Sequence, residues 1–263
     1  MNAPTILNKT KAPGLRLWLV VAVVAVVIVV LISVLTLQLT PPRSTNPLIV
    51  SVSASPNPAP PNSILAIEVI SEYGTGSGSP PVNLAFQTTF AENATAEARG
   101  GGLMDWPDGN RHTMRIGPFM DGTAVWIVVV AYGSGWDFVI DSSLVVSVGN
   151  VIRGGPSGLN ITDLAQMPIN PTVQDTVIVN ATVTSTSAIG DVEVLRAYVD
   201  STEVGITSWL MTRTSSTQFT AEFDDPFLFG YVYKPGTIFL YRIAAMDESN
   251  NTAMTEVRLF TWT

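Results

Sequence analysis

The same punctuation occurs twice in this chain, 113 residues apart. Asn57-Pro58 followed by Ser63-Ile64 matches Asn170-Pro171 followed by Thr176-Val177. Further on, Asp121-Gly122-Thr123 before a long apolar run matches Pro235-Gly236-Thr237 before another. An alanine stands eight residues past each threonine, at Ala131 and Ala245. The gaps between these anchors are almost equal, so the chain contains two copies of one structural unit. About 100 residues per copy can bury a core of its own. The 263-residue chain has no cysteine, so each copy must hold together by apolar packing alone.

Within each copy, apolar residues alternate or run continuously in short stretches bounded by Gly, Pro, Asn and Asp, which predicts strands. In the first copy these are Leu48–Ala54, Ile64–Glu72, Val82–Phe90, Thr113–Ile116, Ala124–Tyr132 and Leu144–Val148. In the second they are Ile161–Met167, Thr176–Ser185, Val192–Val199, Ser208–Thr212, Gln218–Phe223, Ile238–Met246 and Thr255–Trp262. Nothing beyond residue 40 has the period of an amphipathic helix. Many short strands between turn signals mean a sandwich or barrel. The expected fold class is all-β, with sandwiches at residues 48–149 and 159–263. Gly100 to Gly102 read as a flexible loop. Residues 150–158, with Gly154-Gly155-Pro156, read as a hinge. Domains joined by such a breaker are expected to share less than about 600 Å² and to move against each other.

The N-terminal segment is of another kind. From Leu17 to Leu37 there is no charge, and only Ser33 and Thr36 are polar. At 1.5 Å per residue this run spans about 30 Å, the hydrocarbon thickness of a bilayer. Lys9, Lys11 and Arg16 precede it, which places the N-terminus in the cytoplasm. A cleaved signal peptide has a shorter apolar core and a small-residue cleavage site. A prepilin-like segment would carry an acid a few positions into its apolar run. The expectation is one uncleaved transmembrane helix at residues 15–39, behind a cytoplasmic stretch 1–14 and before a Pro-rich linker 40–47. The partner of that helix is the lipid bilayer. The two β units would then lie outside the plasma membrane.

Tyr241-Arg242-Ile243-Ala244-Ala245-Met246-Asp247, followed by Asn250-Asn251, resembles the penultimate strand and turn of fibronectin type III and related immunoglobulin-like surface modules. The Asn-Pro bends at Asn57 and Asn170 are similar to the first bend of such repeats. The resemblance covers both halves from about residue 47. It implies tandem immunoglobulin-like β-sandwiches behind an N-terminal anchor, on a prokaryotic cell surface. It also implies that the Tyr241 hydroxyl bonds the neighbouring backbone. The first copy departs from the pattern, with Ile127 at the tyrosine position. The disulfide and strand-C tryptophan of antibody domains are absent as well.

Composition removes most chemistries. The formal net charge is -8, and all 21 acids follow the membrane run with ten of the 13 bases. No basic surface exists for nucleic acid. With one histidine and no cysteine, thiolate zinc sites, cysteine nucleophiles and histidine-rich metal sites are excluded, and no cofactor is expected. His112, beside Arg111 and Thr113, reads as a turn histidine without a signalled nucleophile or acid. Asp224-Asp225 and Asp247-Glu248 precede turns, where such residues bond their own backbone. Asp247, Glu248, Asn250 and Asn251 are the densest oxygen cluster, short of the spaced acids of a calcium loop. Asn93, Asn160, Asn180 and Asn250 begin glycosylation sequons beyond the membrane run. Trp106 and Trp136, in loop-like contexts, and Phe227 and Phe229, in an apolar stretch, are the candidate contact residues. The function expected is non-catalytic: two immunoglobulin-like domains displayed for structural or adhesive contact with other cell-surface or envelope proteins. The alternative is an accessory subunit of an envelope assembly (a surface layer, a pilus or an archaellum stator) packing through its anchor helix, where Ala22 and Ala25 supply small residues.

Overall fold

The computed structural model describes residues 46–74, 78–90, 99–133, 137–149, 158–200, 203–223 and 234–263. The expected membrane helix, its linker up to residue 45 and the hinge residues 150–157 lie outside the described residues. Among those described, no helix is long and apolar enough to cross a membrane.

All the described elements are strands. The first copy contains β1 Pro47–Ser55, β2 Leu65–Tyr73, β3 Val82–Thr88, β4 Arg99–Leu103, β5 Asp105–Asp108, β6 Arg111–Ile116, β7 Ala124–Tyr132, β8 Phe138–Asp141 and β9 Val145–Ser147. The second contains β10 Asn160–Met167, β11 Val177–Thr184, β12 Ile189–Val199, β13 Val204–Leu210, β14 Thr212–Arg213, β15 Gln218–Phe223, β16 Ile238–Asp247, β17 Thr252–Met254 and β18 Arg258–Thr261. One sheet of the first copy has the order β1-β2-β6-β5, and the facing one β4-β3-β7-β8 with β9 also on β7. The second copy repeats this: β10-β11-β15-β14 faces β13-β12-β16-β17, with β18 also on β16. In immunoglobulin lettering both copies are an A-B-E-D sheet on a C′-C-F-G sheet.

The repeated sequence anchors have a structural cause. Gly122 and Gly236 both sit at positive φ, 78° and 92°, a conformation that favours glycine. Their N–H groups donate to the residue just past the last strand of each copy, Gly122 to Val148 O at 3.0 Å and Gly236 to Trp262 O at 2.7 Å. The following threonines return the bond through their carbonyls, accepting from Val148 N and Trp262 N. Each Gly-Thr pair thus fastens the start of the F strand to the end of the G region.

Each sandwich has its own core. In the first it is mostly aliphatic, with Leu65, Ile67, Val69, Leu84, Ile127 and Val129 fully enclosed. In the second it is aromatic at one end, where Phe223, Phe239, Tyr241 and Phe260 gather with ring centroids 5.0 to 6.4 Å apart. A third apolar layer joins the two. Trp126, Val128 and Val130 of β7 pack with Leu195, Ala197 and Val199 of β12, and with Ile206, Leu240 and Ala244. These residues point away from both cores. The C′-C-F-G sheets therefore meet face to face, and β7 is buried on both of its sides. That explains its continuous apolar run, since a strand covered on both faces has no polar positions. The two sandwiches thus share a buried apolar layer, and their four sheets belong to one Thr45–Thr263 unit.

The contacts across this seam give the relative direction. Phe90 N, just past β3, donates to Glu193 Oε1 near the start of β12 at 2.6 Å. Gln87 Nε2 reaches Ser208 Oγ at 3.3 Å, and Arg99 Nη1 reaches Thr207 Oγ1 at 3.3 Å. Early β3 shares a cleft with late β12, between Asn83 and Tyr198. The sandwiches thus lie side by side, pointing in opposite directions.

Sequence and structure differ at several strands. Gly100 to Gly102 form the edge strand β4, not a loop. A side chain on Gly101 would run into the Leu84 carbonyl oxygen and come within 2.9 Å of Ala85 Cα, so glycine is what lets β4 lie against β3. β5, β8, β14 and β17 are short edge or terminal strands with too few residues for a period to register.

Candidate functional site

His112 is a strand residue, in register with Val69 of β2, and is buried. Its Nε2 lies 2.7 Å from Ser79 Oγ. Ser79 Oγ donates to Ser71 O at 2.9 Å, which uses its only proton. The His112 Nε2–H must then donate to Ser79, leaving Nδ1 as the unprotonated nitrogen. Ser71 Oγ, 2.9 Å from Ser79 Oγ, supplies the other proton to that oxygen. Trp106 covers the cluster, its ring centroid 5.3 Å from that of His112. The position of His112 in a turn, expected from Arg111 and Thr113, is corrected by its core-facing place on β6. Burial pushes the His112 imidazole below its ordinary range.

This is a serine–histidine pair by distance but not by chemistry. A nucleophile needs the imidazole to accept its proton, whereas here the imidazole donates to the serine. The serine proton is held by a backbone carbonyl, and both residues are enclosed. The cluster ties Ser71, Ser79 and His112 together at one end of the core, with His112 Nδ1 buried and without a hydrogen-bond partner among the described residues.

The Asp247 carboxylate closes the turn after β16. Oδ1 accepts from Ser249 N at 3.0 Å, from Asn251 N at 2.9 Å and from Asn251 Nδ2 at 3.0 Å. Oδ2 accepts from Ser185 Oγ at 2.8 Å and again from Asn251 Nδ2. Burial acts to raise its pKa, but the donors from Asn251, Ser185 and Ser249 outweigh it and hold the carboxyl below the usual range. Glu248 and Asn250 are exposed on the same turn. Its oxygens are engaged by protein donors, and among the described residues no group of acids is placed to hold a metal ion.

Tyr241 is fully buried, and its hydroxyl lies 3.1 Å from Gln166 Oε1 of β10. The bond expected to neighbouring backbone is thus made to a side chain of the A strand. Burial raises the phenol pKa, with Arg258 opposing it.

The remaining candidates are spread over the surface. Asn160 and Asn250 are exposed, near the end of the second sandwich where β10 begins and β16 ends. Asn180 is half-buried inside β11, on the face away from the core. Trp106 is exposed, and its indole donates to Gly109 O at 2.5 Å. Asn93, Trp136, Phe227, Phe229 and the Asp224-Asp225 pair lie outside the described residues. The group that sequence reasoning missed is the seam. Its signal was present in the uninterrupted apolar run of β7, Ala124 to Ala131.

The strand orders define the chain's class as a tandem immunoglobulin-like β-sandwich protein. No family model matches the chain, and no curated protein matches it. Among solved structures it is similar to the fibronectin(III)-like modules of Clostridium thermocellum CbhA, at 14% identity and a TM-score of 0.27, over 81% of this chain and 94% of that one.

Proposed function

We propose that the protein is a membrane-anchored cell-surface protein whose two immunoglobulin-like domains act as one non-catalytic structural or adhesive body. The observation that carries this reading is the seam. Packing Trp126, Val128, Leu195 and Leu240 against one another removes two sheet faces from any partner and fixes the angle between the modules. Such a body offers contacts at set positions: the outer faces of the two A-B-E-D sheets, the edge strands and the loops. A binding or catalytic pocket would instead concentrate polar groups in an open cleft, and the Ser79–His112 pair is enclosed. The anchor is supported by the uncharged length of Leu17 to Leu37. Its partners would be other cell-surface or envelope proteins.

Protease treatment of intact cells, followed by cross-linking and mass spectrometry of their membranes, tests the reading. Loss of everything after the membrane run, and cross-links to other surface proteins, are expected. Full protection of residues 46–263 would sink it.

A further inference from the structure

Because the two sandwiches point in opposite directions, the end of the molecule where the chain enters at Pro47 is shared by both. The first sandwich exposes Leu48 at 46%, Leu103 at 67% and Trp106 at 51% there. The second brings Met167 at 66% and Ile169 at 77%, where β10 ends. Pairing places Leu48, Leu103 and Met167 at one end: Pro47 is opposite Tyr73, Leu103 opposite Asn83 and Met167 opposite Ile178. Trp106 stands on β5 level with the middle of β2, and its indole reaches toward that end through its bond to Gly109 O in the β5–β6 turn. We propose that this end rests on the outer surface of the bilayer, with Trp106 and Leu103 in the interfacial layer. The proposal rests on the membrane-anchor reading above.

Tether length selects the occupant. Seven residues separate the expected helix end at Leu39 from Pro47, and a chain of that length reaches no more than about 25 Å. Pro41 and Pro42 stiffen it. A nine-residue strand such as β1 is about 30 Å long. The opposite end also exposes Ile64 and Met120, but it lies a full strand length further from the tether. The Pro47 end is therefore held beside lipid at a very high local concentration. A half-exposed tryptophan whose N–H is already bonded, as that of Trp106 is to Gly109 O, suits the headgroup region, where amphipathic rings collect. Glu72 and Glu203 lie at the same end with one exposed base, Lys234, and Arg111 is paired with Glu68. The end carries no basic excess for anionic headgroups, so the surface matches neutral ones.

The test uses the full chain in vesicles of phosphatidylcholine with brominated acyl chains, which quench nearby indoles. Trp18, inside the anchor, is first replaced by Phe to remove its own signal. The Trp18→Phe chain should float with the vesicles and be quenched relative to unbrominated lipid. Adding Trp106→Phe should abolish most of that quenching. Leu103→Glu should reduce it while leaving flotation and the circular dichroism spectrum unchanged. Adding anionic lipid should weaken it. A chain that floats but shows equal emission in both lipids overturns the proposal and leaves the anchor standing. A chain that does not float overturns both. Trp106 emission that is blue-shifted yet unquenched would mean that a second copy covers this end, and would also overturn it.

Discussion

At the scale of single residues, burial changes what a side chain can do. His112 folds with its imidazole neutral, because burial lowers its pKa and the Nε2 proton is committed to Ser79. The unfolded chain, titrating near the ordinary value of about 6.5, binds more protons than the folded one between that value and the lowered one. Stability should therefore fall as pH drops through about 6.5, and level off below the folded pKa. Thermal melts compared between the protein and His112→Gln should differ in slope within that window; parallel curves would refute the assignment. Asp247→Ala removes the acceptor of two backbone N–H groups, the Asn251 amide and the Ser185 hydroxyl. A loss of about 1.5–3 kcal/mol is expected from urea denaturation, as for other hydrogen bonds to charged groups. Of these two sites, the Asp247 turn was legible, because Asp-x-x-Asn after an apolar strand is local chemistry. The His112 cluster was not, since Ser79 lies 33 residues away and no local pattern links them.

At the scale of elements, the strands that sequence located best are those whose side chains alternate between a core and water. β11 is an example, with Val177, Val179, Ala181 and Val183 enclosed and the intervening residues outward. β4 escaped notice because its three glycines have no pattern to show, and their role is to let the chain come close to β3. Gly101→Val should force β4 off the sheet edge through the clash with the Leu84 carbonyl. The expected readout is fast amide exchange across residues 99–103 with the rest of the first sandwich protected. Unchanged protection would mean that β4 tolerates a side chain there.

At the scale of the whole molecule, the seam decides how the two copies behave. Leu195, fully enclosed within it, should not accept a charge, because an unpaired buried carboxylate is strongly unfavourable. Residues 46–263 should melt in one transition and fit one rigid shape in small-angle scattering. Leu195→Asp should split the melt in two and lengthen the particle. Two transitions in the unaltered protein would refute the joined body. By itself, the sequence determined the all-β class, the duplication and most strand positions, because turn chemistry and side-chain period act over neighbouring residues. Only the tertiary structure decided that the two C′-C-F-G sheets bury each other, that Tyr241 bonds Gln166 and that His112 is enclosed. Those outcomes depend on surfaces brought together from as far as 121 residues apart, and a strand buried on both faces carries no mark of which partner covers the second one.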